Sequence, residues 1–429
     1  MSGSENNQED QYLDDDDDQW SDVTSDAGDN VVFEHDTDAI QEEIVLEDGE
    51  GGGFSDDDDD DVQTETGEED DDGPVEDNSV DSYSEHTDFV CKVAVFNKRT
   101  DGYTLVATGS GDDTAHLFLF GNGKIQLESA LVLSGHTDTV SDVQFNFNGE
   151  FLATAGYDNK VGIWDTKSGK LLHFLEGPGD TIDWIVWHPK GNLIACGSAD
   201  GTAWLWNAKT QECLSVFAGH TGSITCGAWA DDGKVLVTGG EDTTVKIWNP
   251  KTSECVHTFS GDLFCSAPIT CIATHPYRHN VIACGSVDGT AILLNIETQK
   301  ILTQLRGHQD SVEFISFNPS QETNMLRYGL ATCGMDGKIV VWDMNSMKPQ
   351  HVIQQNKGIV RVYFHQHIDA HPCIVTCSAD RTVCTFDIRT GEIIKKATGH
   401  RNVILDMVIT DKYAFTASDD SKCMIFIID

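Results

Sequence analysis

His136, Thr154 and Asp158 place an imidazole, a hydroxyl and a carboxylate close together in the chain, with Trp164 following shortly after. The first three are the groups of nucleophilic hydrolysis, in which the imidazole takes the hydroxyl proton and the carboxylate orients the ring. The stretch HQHIDAHPC (365–373) adds His365, His367 and His371, a cluster that could hold a metal ion. A catalytic group of this kind is needed once, in one cleft. The number of times the pattern occurs therefore decides between chemistry and scaffold.

It occurs repeatedly. ATGSGDDTAHLF (107–118), ATAGYDNKVGIW (153–164), ACGSADGTAWLW (195–206), VTGGEDTTVKIW (237–248) and ACGSVDGTAILL (283–294) are copies of one motif. ATCGMDGKIVVW (331–342), VTCSADRTVCTF (375–386) and FTASDDSKCMIF (415–426) complete a set of eight. Their aligned aspartates, Asp112, Asp158, Asp200, Asp242, Asp288, Asp336, Asp380 and Asp420, stand 40 to 48 residues apart. Each copy consists of short alternating β-branched runs broken by Gly and Asp turns, the pattern of a small antiparallel sheet.

The charge is equally uneven. Of the 72 acidic residues, 35 precede His86, where there is no Lys or Arg, and the remaining 344 residues carry 37 acids and 27 bases. Runs such as Asp14–Asp18 and Asp56–Asp61 are too charged and too poor in apolar groups to repay their ordering entropy. Residues 1–77 are accordingly expected to be a disordered acidic tail, with 78–429 the folded domain. Trp20 and AIQEEIVLE (39–47) read as isolated apolar islands in it. Ser55 fits an acid-directed kinase site, as any serine in an acidic run would. No apolar run approaches the roughly 18 residues of a membrane helix. The thirteen cysteines, none in a CxxC pair, read as free buried thiols of a reducing compartment.

The repeat period, with its G-H to W-D framing, resembles the WD-repeat family, and the resemblance covers residues 78–429. It implies an all-β fold, a single propeller of eight blades, with seven the alternative if copy five or seven is an insertion. It also implies that His136, Thr154, Asp158 and Trp164 form a buried structural tetrad. His220, Thr238, Asp242 and Trp248 form a second, and His308, Thr332, Asp336 and Trp342 a third. Phe118 and Phe426 replace Trp in copies one and eight, Pro178 and Cys196 stand at the His and Thr positions of copy three, and copies five and seven lack the His. With the tetrads assigned, no constellation is left for an enzyme, and no cofactor is expected. The His365 cluster follows an inner strand, where a long loop is expected, so no metal site is assigned there.

In the WD framing each repeat supplies the outer strand of one blade and the three inner strands of the next. The last blade then lacks an outer strand, and residues 78–84 are expected to supply it. That strand runs towards the face bearing the G-H loops, the top, so its start, and the tail with it, is expected on the opposite face. A tail of 77 residues has a reach of about 50 Å and could visit either.

Ligands of a propeller are expected on the top rim and channel mouth. The G-H loops offer Asp88, Asp138, Asp180, Asp262 and Asp310; the turns offer Tyr157, Glu241, Met335 and Asp419; the inner strands offer Trp184 and Phe314, with Leu405 the eighth-copy counterpart. Carboxylates interleaved with Tyr157, Trp184, Met335 and Phe314 suit a basic peptide with apolar anchors. The plainer reading is that the acidic residues form turns and keep the protein soluble. Lys357, Arg361, Arg381 and Arg401 make the sector of copies seven and eight basic, a region that could attract the tail.

The stretches GDTIDWIVWHP (179–189), SVDGTAILLN (286–295), GIVRVYFHQ (358–366) and TGHRNVILDM (398–407), after a long acidic N-terminus, resemble the angio-associated migratory cell protein family. Fungal members of that family are dedicated chaperones of a basic large-subunit ribosomal protein of the QM family, which they hold until it joins the cytoplasmic pre-60S particle. Animal members are described in cell migration and signalling. The resemblance thus implies a non-enzymatic monomer in the cytoplasm, with the nucleus left open, binding a basic N-terminal segment and neither nucleic acid nor membrane. The alternative is a substrate receptor of a cullin-type ubiquitin ligase, because Phe386-Asp387-Ile388-Arg389 resembles the W-D-x-R ending of such receptors. A signalling scaffold is the other alternative.

Overall fold

The computed structural model describes residues 76–98, 102–261, 264–320, 329–366 and 372–428. Residues 1–75, with the expected tail, Trp20 and Ser55, lie outside the described residues, as do Asp262, His367 and His371.

The described strands form eight antiparallel sheets of four. Blade two, for example, runs outward from Val140–Phe145 through Phe151–Gly156 and Val161–Asp165 to Lys170–Leu175. The innermost strands pack against one another in sequence, and Ile404–Ile409 of blade eight packs against Val90–Phe96 of blade one, so the sheets close into a ring. Each apolar cluster straddles two neighbouring blades. Val161 and Ile163 pack with Ile185 and Ile194, and Val90 and Phe118 with Phe415 and Ile425 across the closure.

The turn between the second and third strands is built identically in every copy. The residue after the aligned aspartate is left-handed in all eight: Asp113, Asn159, Gly201, Thr243, Gly289, Gly337, Arg381 and Ser421, with φ between 62° and 79°. The aspartate side chain accepts the N–H two residues on, at 2.8–3.3 Å, again in all eight. This bond compensates the strain that the five non-glycine residues incur at positive φ.

The inner strands share a second device. Each carries a one-residue bulge near its start, between Val140 and Asp142 in blade two and at the matching place in the other seven. Where the bulged residue is small and polar it staples its blade to the next. Cys91 Sγ donates to the carbonyl of Val140 (2.8 Å), Ser141 Oγ to that of Ile182 (2.5 Å) and Thr225 Oγ1 to that of Ile269 (2.5 Å), while Thr270 Oγ1 donates to that of Val312.

Asp81–Tyr83 lies antiparallel on Cys423–Ile427 and is the outer strand of blade eight. It also reaches blade one. Ile125 N donates to Asp81 Oδ2 at 2.8 Å, Tyr83 stacks on Phe118 at 4.2 Å, and the Tyr83 hydroxyl bonds His116 Nδ1 at 2.8 Å.

The preceding residues do not continue to the opposite face. Asn78 N donates to the carbonyl of Thr398 (3.0 Å), Thr398 N to Asn78 Oδ1 (2.6 Å) and Thr398 Oγ1 to the carbonyl of Glu76 (2.6 Å). Thr398 stands two residues before His400, at the top end of the outer strand of blade seven. The expectation that the tail starts on the opposite face is therefore corrected: these three bonds draw the chain sideways across the top of the neighbouring blade.

Because Tyr83 is fully buried and joins the last blade to the first, Tyr83→Ala is expected to cost about 3–5 kcal/mol. Tyr83→Phe, which keeps the stack and loses only the hydroxyl bond, is expected to cost about 1 kcal/mol. Urea denaturation of the two variants checks both figures, and equal losses would show that the seam does not depend on the ring.

Candidate partner-binding face

The tetrads are the support of the top face. His136 Nδ1 bonds Asp158 at 2.9 Å, its Nε2 bonds Thr154 Oγ1 at 2.7 Å, and Trp164 Nε1 donates to the same hydroxyl at 2.9 Å. His220, Thr238, Asp242 and Trp248 repeat this at 2.9, 2.8 and 2.8 Å, and His308, Thr332, Asp336 and Trp342 at 3.0, 2.8 and 3.0 Å. One proton arrangement satisfies the chain: indole N–H to threonine oxygen, threonine O–H to Nε2, and Nδ1–H to carboxylate. Burial lowers the pKa of His220 and His308, which keeps the rings neutral as this arrangement requires. Burial alone would raise the aspartates. The hydrogen bond from His136 outweighs it at Asp158, and bonds from His220 and Thr244 do so at Asp242, so both stay below the usual carboxylate range.

Two further groups lack only the indole. His86 bonds Asp112 and Thr108 at 2.8 Å each, and His400 bonds Asp420 at 2.9 Å and Thr416 at 2.7 Å. Sequence reasoning noted the Phe replacements there but not the intact triads. The signal was available in Gly399-His400 and Glu85-His86. In blade one His116 lies against the open face of His86, stacked at 3.8 Å with 19° between the planes. His86, Asp112 and His116 bring ligand atoms within 4.8 Å of one another. Their geometry nevertheless suits a stack: lone pairs lie in the ring planes, and near-parallel rings do not aim them at one ion.

Above this support the exposed groups form a ring. Asp88, Asp138, Asp180 and Asp310 are exposed, and each accepts the N–H of the next residue through one carboxylate oxygen at 2.7–2.8 Å. They are thus turn formers and surface anions together. Glu241 is exposed, as are Tyr157 (42 %) and Met335 (47 %), and exposed Asp419 accepts a bond from Asn402.

Two of the expected anchors are placed otherwise. Trp184 is only 7 % exposed, and its Nε1 donates to the carbonyl of Ile224 at 2.8 Å. Its ring fills the space left by two glycines, since a Cβ at Gly227 would stand 2.1 Å from it and one at Gly197 2.4 Å. Trp184 is therefore core. Phe314 is half-buried beneath Arg361, whose guanidinium lies 4.9 Å from the ring centre, and beside Tyr363. It engages the protein's own cation. The eighth-copy position is Asp406 and not the expected Leu405: Asp406 stands six residues after His400, as Asp142 does after His136, and pairs across to Ala417 just past the shared bulge.

That shift reveals a run of alternating charge over consecutive blades: Arg361 on seven, Asp406 on eight, Lys92 on one and Asp142 on two. Arg361 Nε lies 2.7 Å from Asp406 Oδ1, and Asp406 Oδ2 accepts Val93 N of blade one at 3.2 Å. Asp142 accepts Ile185 N of blade three at 3.0 Å; burial raises its pKa, partly offset by Lys92. Arg389 is held by its neighbour Asp387 in two bonds of 3.0 and 2.5 Å, a local fork.

A closed ring of eight four-stranded blades whose turns carry His–Thr–Asp–Trp groups defines a WD-repeat β-propeller. The chain belongs to that family. The model of the WDR19 first β-propeller matches residues 98–262, and that of the WD domain, G-beta repeat, matches 253–295 and 299–343. Angio-associated migratory cell protein of Canis lupus familiaris is 30% identical over 173 residues, which cover 38% of this chain and 39% of that protein. Among solved structures, Sqt1 of Saccharomyces cerevisiae superposes with a TM-score of 0.72 at 23% identity, covering 82% of this chain and 99% of that one. Sqt1 of Chaetomium thermophilum, solved bound to the N-terminus of the ribosomal protein L10, gives 0.71 at 23%, covering 82% and 100%. At these identities the two structures show a shared fold.

Two outcomes are expected from the support. Thr154→Val leaves an indole N–H and an imidazole nitrogen buried without partners and should cost at least about 2 kcal/mol in urea denaturation. The second concerns pH. Burial, reinforced by His86 and opposed by Asp112, holds His116 at about 4 against an ordinary 6.5. The unfolded chain therefore takes up a proton that the folded chain refuses, so this contribution is complete above 6.5 and fades as pH falls towards 4. Between pH 7 and 5 the wild type should lose about 1–2 kcal/mol more than His116→Phe, and equal losses would remove His116 from the account.

Proposed function

We propose that the top face binds the basic N-terminal segment of a large-subunit ribosomal protein, L10 of the QM family, and that the chain acts as its dedicated chaperone in the cytoplasm before pre-60S assembly. The observation that supports this reading most directly is the ring of exposed carboxylates, Asp88, Asp138, Asp180, Glu241, Asp310 and Asp419, interrupted by exposed Tyr157 and Met335. Carboxylates take Arg and Lys by charge-assisted bonds, and the two apolar side chains offer anchors between them. Masking a basic segment in this way prevents its capture by RNA, whose binding is dominated by phosphate. The same fold in Sqt1, solved with the N-terminus of L10, is consistent with the mode. On this reading the protein is a monomeric binding module that performs no catalysis and contacts neither RNA nor membrane. The alternative, a substrate receptor of a cullin-type ubiquitin ligase, rests on the ending Phe386-Asp387-Ile388-Arg389, in which exposed Arg389 pairs with Asp387.

Calorimetric titration of the full chain with a peptide of the L10 N-terminus tests the proposal. Saturable binding at one site that weakens with salt is expected. Glu241→Lys and Asp310→Lys should each weaken it tenfold or more, about 1.4 kcal/mol, while the melting temperature stays near that of the wild type. Undiminished affinity in both variants, or no binding by the full chain, would sink the reading.

A further inference from the structure

On the basis of the basic-ligand reading above, we propose that Asp183, on the inner strand of blade three, receives a guanidinium or ammonium group of the ligand, with Tyr157 of blade two as the aromatic wall beside it. One place on the top face thereby selects a cationic side chain.

Asp183 stands in the bulge of its strand, between Ile182 and Trp184. In blades one, two, four and five the residue at that place, Cys91, Ser141, Thr225 or Thr270, donates to a carbonyl of the next blade. A carboxylate has no proton to donate there. In blade three the equivalent carbonyl, that of Ile224, takes the indole N–H of Trp184 instead, at 2.8 Å. The joint between blades three and four is therefore made without Asp183, whose side chain is released from the task its counterparts perform.

Its surroundings favour a cation. Asp183 is half-buried, and among the described residues its carboxylate accepts one hydrogen bond, from Ser223 Oγ at the long distance of 3.5 Å. Burial raises its pKa, the Ser223 bond opposes this, and the charges of Glu241 and Asp180, both anions, add to it. The two other inner-strand aspartates are differently served. Asp406 has Arg361 at 2.7 Å and the N–H of Val93, while Asp142 accepts the N–H groups of Val143 and Ile185 at 2.9 and 3.0 Å and feels Lys92. An exposed carboxylate is served by water, but a half-buried one among like charges is stabilised by a cation that reaches it. Tyr157 is near enough that Asp183 and Asp138, after burial, raise its phenol, and its ring is 42 % exposed. A ring beside a carboxylate suits a planar guanidinium, which can bond the one and lie against the other.

Calorimetric titration of the full chain and of Asp183→Asn with the L10 N-terminal peptide tests this. The amide keeps the size of the side chain and an acceptor for Ser223, and removes only the charge. The variant should bind at least about tenfold more weakly than the wild type, with a flatter salt dependence and an unchanged or higher melting temperature. At about pH 5 the wild type should also release more protons on binding than the variant, because a seated cation lowers the raised pKa of Asp183; titrations in two buffers of different ionisation enthalpy read the difference. Tyr157→Leu should weaken binding and leave the salt dependence as in the wild type. Binding by Asp183→Asn as tight as that of the wild type, or a loss with salt dependence and proton release unchanged, would overturn the inference and leave the basic-ligand reading intact. No binding by the wild type would remove that reading, and this contact with it.

Discussion

Every blade depends on one carboxylate closing one turn. The aligned aspartate receives the N–H two residues on and so holds the intervening residue left-handed, and this happens in all eight copies. Histidine, threonine and tryptophan are added to that turn in some blades and omitted in others. Blade three has Cys196 in place of the hydroxyl, yet Asp200 still takes the N–H of Gly179 at 2.7 Å and of Thr202 at 2.8 Å. The carboxylate survives the loss of its tetrad because its first task is to hold the backbone, and the loop beside it still needs an acceptor.

The same economy shapes the ring. Eight bulges at one place in the inner strands turn a side chain out of each ladder, and where it is Cys, Ser or Thr it reaches the next blade's carbonyl. Asp142 and Asp406 do the equivalent with backbone N–H groups of blades three and one. Neighbouring blades are thus joined by hydrogen bonds as well as by their shared apolar clusters, and at the seam between blades eight and one Asp81, Tyr83 and Asp406 all cross.

With the scaffold held by buried groups, the top face is free to carry charge. Its loop aspartates serve the turn with one oxygen and present an anion to solvent, so turn formation and ligand attraction coexist in one residue. Charge is distributed by sector: anions predominate around most of the rim, while cations gather on blades seven and eight, where the acidic N-terminal chain arrives.

The sequence by itself determined the number of blades, their order and the membership of three tetrads, because these follow from spacing and residue type along the chain, which local hydrogen bonding translates directly into turns. The triads of His86 and His400 were legible too, had the missing indole not drawn attention from the intact histidines. What only the tertiary structure decided lies across blades. Trp184 sits in a space cleared by Gly197 and by Gly227 of the next blade, the latter 43 residues further along the chain than Trp184, and no local pattern records that fit. The tail's point of arrival rests on Thr398, 320 residues from Asn78. Spacing encodes what neighbours in the chain do to one another; contacts of that separation exist only once the ring has closed.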